Sequence, residues 1–281
     1  VDGAIIEQLG RGMGFSLVSP PEVEYAELCL RHIPSAGKVR FLKTGSSATE
    51  AAIRIARAYT GKKHVIRGEY HGWHEWTASG ESVRQGGILP DVRLAVHRFE
   101  YNDLESAERL FATYPGDVAA LITEPVMLEA PKPGFLEGLK KLCADNGALL
   151  VFDEVVDGFR FSIGGAQEYF GITPDLSTFG KAAANGMPLS IVAGSREIMD
   201  AVDRSIFIST TFGGETLSLA AGIAVMHELE NKPVTKRIWS LGERLKGETN
   251  QMARRLGVGI ELEGYPCRMA FDYRDDKGGR D

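Results

Sequence analysis

Cysteine is scarce in this chain: three residues in 281, Cys29, Cys143 and Cys267, with no CxxC pair and no Cys/His spacing. That pattern argues against a disulfide framework or a zinc site, and makes reduced thiols in a cytoplasm the expected state. No apolar run is long enough to span a bilayer, and no basic segment followed by an apolar core opens the chain. Positive charge is not in excess either. A net charge of −6 gives no electrostatic reason to expect a nucleic acid or an anionic membrane as partner. Internal repeats, low-complexity tracts and linkers are absent as well. What is plentiful is glycine, 33 residues, beside 43% hydrophobic and 25% charged residues. This is the profile of an enzyme-sized globular chain rich in tight turns, with room for one large domain and part of a smaller one.

Short apolar runs alternate with longer helical stretches. The runs Lys63–Arg67, Val92–Val96, Ala119–Thr123, Leu149–Asp153, Asp175–Phe179 and Leu189–Ala193 read as strands buried on both faces. Helices are expected near Ser46–Tyr59, Leu104–Thr113, Gly134–Asn146, Arg196–Ala201, Leu217–Glu230 and Val234–Leu256. Such alternation predicts an α/β protein with a mostly parallel sheet, helices on both its faces and ligands at the carboxyl ends of strands. Residues 1–230 are expected to form a large domain and residues 231–281 the start of a smaller one. Val1–Gly10 reads as though inside a helix, and the charged tail Asp275–Asp281 follows two strand-like runs, Val258–Leu262 and Arg268–Tyr273. Both ends are therefore expected to belong to a longer protein.

Four loops at strand ends or helix starts can carry chemistry. Thr44-Gly45-Ser46-Ser47 puts a glycine among hydroxyls at a helix start, suited to a phosphate; an ordinary cap cluster has the same composition. Tyr70-His71-Gly72-Trp73 offers aromatic faces to a flat heterocycle, or simply cover for the core. Asp153-Glu154 ends a buried strand, where a carboxylate needs a positive partner such as a protonated pyridine nitrogen, or else a salt bridge or helix cap. Gly180-Lys181 ends another strand, where partial desolvation would favour imine formation by the amine. A lone lysine is usually a solvated surface residue. Phosphate loop, aromatic, carboxylate and lysine, in that order at strand ends, supply what pyridoxal 5'-phosphate (PLP) needs.

The segments Phe41-Leu42-Lys43-Thr44-Gly45-Ser46-Ser47-Ala48-Thr49-Glu50-Ala51-Ala52-Ile53-Arg54, Tyr70-His71-Gly72, Glu124-Pro125-Val126, Phe152-Asp153-Glu154-Val155, Gly164-Gly165-Ala166-Gln167, Pro174-Asp175-Leu176 and Gly180-Lys181 resemble class III aminotransferases of PLP fold type I. The nearest likeness is to glutamate-1-semialdehyde 2,1-aminomutase-like members, and it runs from about Val1 to Asp272. The resemblance implies a seven-stranded, three-layer fold, PLP as cofactor, amine or amino acid and carbonyl substrates, and a homodimer with shared active sites. It matches Lys181 to the Schiff-base lysine, Asp153 to the carboxylate on the pyridine nitrogen, and Val155 and Tyr70 to the two ring faces. Thr44, Gly45 and Ser46 match the phosphate cup, with His71 beside the cofactor. Thr211 matches a threonine that reaches the phosphate of the neighbouring subunit, and Glu124 an active-site glutamate.

Two departures bear on substrate. Where aminomutases carry an asparagine, this chain has Glu129, as ω-amino-group aminotransferases do, and Phe212-Gly213-Gly214-Glu215-Thr216 differs from the aminomutase pattern. The reading is therefore a PLP-dependent aminotransferase first, an aminomutase second, and a non-catalytic PLP-fold module third.

Overall fold

The computed structural model describes residues 1–78 and 85–273; the charged tail Asp275–Asp281 lies outside them. Seven strands make the main sheet: β1 (Lys38–Leu42), β2 (His64–Arg67), β3 (Val96–Arg98), β4 (Val118–Thr123), β5 (Leu149–Glu154), β6 (Leu176–Phe179) and β7 (Ser190–Gly194). Their order is β1-β7-β6-β5-β4-β2-β3. Only β7 opposes its neighbours, pairing antiparallel with β1 and β6, while the other pairs run parallel. The mostly parallel seven-stranded α/β sheet expected from the sequence is thus borne out. Every residue of β4, β5, β6 and β7 is buried, as strands covered on both faces must be.

Four helices are short: α1 (Asp2–Leu9), α4 (Glu75–Ala78), α5 (Pro90–Leu94) and α8 (Ala166–Phe170). Most of the longer ones cover the sheet, and period-two geometry divides its strands between two layers of them. Val151 of β5 joins Ala120 and Ile122 of β4 under α3 (Gly45–Thr60) and α9 (Arg196–Ser205). Leu150 and Phe152 point the other way, into the core of α6 (Leu104–Thr113) and α7 (Phe135–Asp145). On that second side, toward the other edge, Phe179 and Ile191 meet α2 (Pro20–His32) and α10 (Thr216–Asn231). A separate hairpin, β8 (Ile260–Tyr265) and β9 (Arg268–Tyr273), follows the long helix α11 (Val234–Leu256).

Two sequence expectations change. Val92–Val96 is not a strand: Pro90 opens α5 and the strand begins only at Val96, because proline fixes a helical φ and suits the first turn. The structure also adds the edge strand β1 and helix α2. In β1, Lys38 and Arg40 interrupt the apolar run that marks the inner strands.

Candidate active site

The carboxyl ends of β5 and β6 lie side by side, with Asp153 opposite Thr178 and Glu154 opposite Phe179. Beyond them a cavity of about 320 Å³ is lined by Asp153, Lys181, Glu124, Tyr70 and His71, with Gly45 and Ser46 on its α3 side. The chain thus gathers residues up to 146 positions apart, from Lys43 to Leu189, around one space.

Asp153 is buried and its oxygens are in use. Oδ2 accepts from His71 Nδ1 at 2.8 Å, while Oδ1 accepts from the Val155 amide at 3.1 Å and from Thr178 Oγ1 at 3.2 Å. Three donors fix the direction of its carboxyl group. His71 is buried too, its ring parallel to that of Trp76, and its Nε2 has no hydrogen-bond partner among the described residues. With the proton on Nδ1, the imidazole fixes the carboxylate's direction.

Val155 sits directly behind the start of α3: a Cβ on Gly45 would meet Val155 Cγ1 at 2.8 Å. Glycine is needed there for close approach. Gly72 (φ +108°) is likewise pressed against Ser46, whose Oγ would lie 2.5 Å from an added Cβ, and Ser46 Oγ accepts from the Trp73 amide at 3.3 Å. Backbone of α3's first turn and the aromatic loop are thereby held together at the cavity rim.

Lys181 begins a single 3-10 turn, Lys181–Ala183, in left-handed backbone at φ +43°. The sequence implies a partly desolvated amine; in the structure this turn lifts Lys181 to an exposed position at the cavity mouth. Tyr70 is 67% exposed at the same mouth. Thr44 faces elsewhere: it caps α3, its Oγ1 accepting from the Ser47 amide at 3.1 Å, which is the plain capping role its composition also allows. Glu129 and Thr211 are exposed and do not line this cavity.

Sequence reasoning missed Arg268 and Asp157. Arg268, at the start of β9, reaches back to the large sheet and pairs with Glu124 Oε2 at 2.6 Å and Asp157 Oδ1 at 2.8 Å; it also donates to the Val126 carbonyl. Burial pushes Glu124 and Asp157 each up to about 7, and the Arg268 guanidinium opposes that rise. Glu154 turns away from the cavity. It accepts from the Ala166 amide, the Gln167 amide and Gln167 Nε2, and so anchors the loop that leads into α8. The charge of Arg268 inside a strand-like run was the available signal, since a cation there needs a buried partner.

Residues 4–260 match the family model described as Aminotransferase class-III. The chain is 35% identical over 286 residues to the 3-aminobutyryl-CoA aminotransferase of Cloacimonas acidaminovorans, covering 99% of this chain and 68% of that protein. It is 40% identical over 290 residues to the glutamate-1-semialdehyde 2,1-aminomutase of Syntrophomonas wolfei, covering 98% and 67%. Among solved structures, the PLP internal aldimine form of the Sphingopyxis sp. MTA144 FumI protein superposes with a TM-score of 0.91 at 30% identity, covering 98% of this chain and 67% of that one. The fold and the site define a PLP-dependent transferase of fold type I. The chain belongs to the class III aminotransferases, and it spans about two thirds of the length of these relatives.

Proposed function

We propose that this chain is the cofactor-binding part of a PLP-dependent aminotransferase, moving an amino group from an amine or amino acid to a carbonyl acceptor. The observation that carries the reading is the convergence of Asp153 and Lys181, from adjacent strand ends, on one cavity whose other side is the start of α3. The donor set fits the cofactor: a carboxylate at the floor, an amine at the mouth, and a glycine-hydroxyl helix start between them. The close seating of Gly45 against Val155 leaves that helix start free of side-chain bulk.

Ser46, Gly45 and the N-terminus of α3 would hold the phosphate, with Thr44 keeping that helix start in shape. Val155 and Tyr70 would flank the ring. When bound, PLP supplies an aldehyde that condenses with primary amines and a ring that draws electrons from the carbon bearing the nitrogen. Asp153 keeps a negative charge where a ring nitrogen would carry a proton, and His71 keeps that carboxylate aimed. Lys181 Nζ acts as the base that takes up and returns a proton at the substrate carbon. Glu124 lines the wall with its charge balanced by Arg268. Thr211, exposed on its loop, would serve the phosphate site of a second copy of the chain, making the enzyme a homodimer. Glu129 would face substrate in the completed site, and residues 231–273 would open a smaller second domain. Cytoplasmic action belongs to the same reading; among the described residues no helix is long and apolar enough to cross a membrane.

Lys181→Ala should remove the visible absorbance band of the PLP-loaded protein and its turnover while preserving the melting transition. Normal turnover in that variant would end the proposal. A second reading, intramolecular amino transfer, is supported by the 40% identity to an aminomutase. Supplying one amino substrate without any carbonyl acceptor separates the two: isomerisation favours the mutase, and arrest after one half-reaction favours the aminotransferase.

A further inference from the structure

Lys181 is followed by Ala182-Ala183-Ala184, so its turn has no long side chain of its own to anchor it. The backbone is nevertheless left-handed at Lys181 (φ +43°) and again, just beyond the turn, at Asn185 (φ +44°). Such conformations cost about 1–3 kcal/mol each and persist where surrounding structure enforces them. Local backbone bonds supply part of the enforcement. The Ala183 amide donates to the Gly180 carbonyl at 2.9 Å, and the Met187 amide to the Ala184 carbonyl at 3.3 Å.

A further hold comes from α2. Tyr25 Oη donates to the Ala183 carbonyl at 3.1 Å, across 158 residues of sequence. Both residues are wholly buried, so water cannot replace the donor, and an unmet buried acceptor costs about 1–3 kcal/mol. Burial also pushes the Tyr25 phenol upward, which keeps the hydroxyl protonated and able to donate.

The ring is itself fixed by two other elements. It stacks on Phe41 of β1, with centroids 5.2 Å apart and planes 30° from parallel. Helix α10 approaches so closely at Gly222 that an added Cβ would lie 2.7 Å from Tyr25 Cζ. Glycine inside a helix costs about 1 kcal/mol against alanine; here it makes room for the ring. A phenylalanine would fill the same seat, so packing alone gives no account of the hydroxyl. The bond to the turn does.

We propose that Tyr25 is a positioning residue for Lys181: its hydroxyl, tied to the Ala183 carbonyl, holds the turn in the shape that sets the amine at the cavity mouth. The inference rests on the aminotransferase reading, in which Lys181 moves the proton, and it adds α2 to the elements that serve the reaction.

Tyr25→Phe keeps the ring and removes the bond. In the PLP-free chain, hydrogen–deuterium exchange should run about tenfold faster at residues 182–187, the order expected for one hydrogen bond, while β5 keeps the parent's rates. In the PLP-loaded chain, conversion of the cofactor to its amino form should fall about tenfold in kcat with KM within about twofold, because the amine binds as before and the base is misplaced. Substrate deuterated at the carbon bearing the nitrogen should show an isotope effect at least as large as the parent's, which places the lost rate in the proton step. Unchanged exchange at residues 182–187, a loss carried by KM, or a smaller isotope effect overturns the proposal. So does faster exchange throughout β5 with a lowered melting temperature, the mark of a merely structural role. If the chain takes up no PLP, the aminotransferase reading fails, and the exchange measurement alone decides whether Tyr25 holds the turn.

Discussion

Asp153 works through what surrounds it. With His71, Thr178 and the Val155 amide all donating to it, its charge is held in one direction at the floor of the cavity. Asp153→Asn should keep the fold and lower single-turnover rates by about a hundredfold or more. His71→Leu should act one step removed, costing about 1.5–3 kcal/mol of stability from the lost charged hydrogen bond and weakening PLP uptake in a cofactor titration. A different pair of residues governs acid stability. His64 Nδ1 and His97 Nε2 lie 2.9 Å apart, stacked on Tyr114. Burial lowers His97 to about 4, helped by neighbouring His64, and burial lowers His64 as well. Histidine in the unfolded chain titrates near about 6.5, so the folded state binds fewer protons between those values. This pair's contribution to stability is therefore complete above about pH 6.5 and declines as pH falls toward about 4. Relative to the parent, His97→Gln should gain melting temperature as pH falls across that window, an effect on the order of 1 kcal/mol once solvent screening is allowed for.

At the scale of elements, β4 and β5 were legible because their burial on both faces leaves a continuous apolar run, and because an acid ends the second run. Helices α6 and α11 were legible for the opposite reason, a periodic face with clear starts and stops. Other features were hidden by physics that a single segment does not express. The direction of β7 depends on the short connection from β6 and on its pairing with β1. The strand character of β1 is masked by Lys38, which pairs with Asp200 and Asp203, and by Arg40. Arg268 meets Asp157 across 111 residues of sequence, a contact no local pattern encodes. Within the site, the loops were found but the division of labour was not: Thr44 spends its oxygen on the helix, whereas Ser46 faces the cavity. Thr44→Ala should accordingly cost about 1 kcal/mol of stability. Gly242 of α11 gives a sharper test, because a Cβ there would collide with the Pro266 carbonyl at the tip of the hairpin. Gly242→Ala should destabilise by about 1–3 kcal/mol, read as a lowered melting temperature.

The molecule as a whole leaves large apolar side chains in water, including Leu17, Val18, Phe207 and Phe212. Two of these flank Thr211, and their exposure is what a subunit interface would use. If active sites are shared, mixing Lys181→Ala chains with Thr211→Ala chains should yield more activity than either alone, since exchange assembles one intact site per heterodimer. Activity that never rises above the sum of the separate variants would remove Thr211 from the neighbouring site.

The tie from Arg268 to Glu124 and Asp157 also says where this polypeptide can be cut. A chain ended at Leu256 would keep the whole seven-stranded sheet yet strand two buried carboxyls without their counter-ion. Such a fragment should be most stable in mild acid, where both groups hold protons, and should lose stability as pH rises above the ordinary carboxyl range, since without Arg268 nothing opposes the upward push of burial. Charge neutrality thus binds the seven-stranded sheet to Arg268, twelve residues past the end of α11.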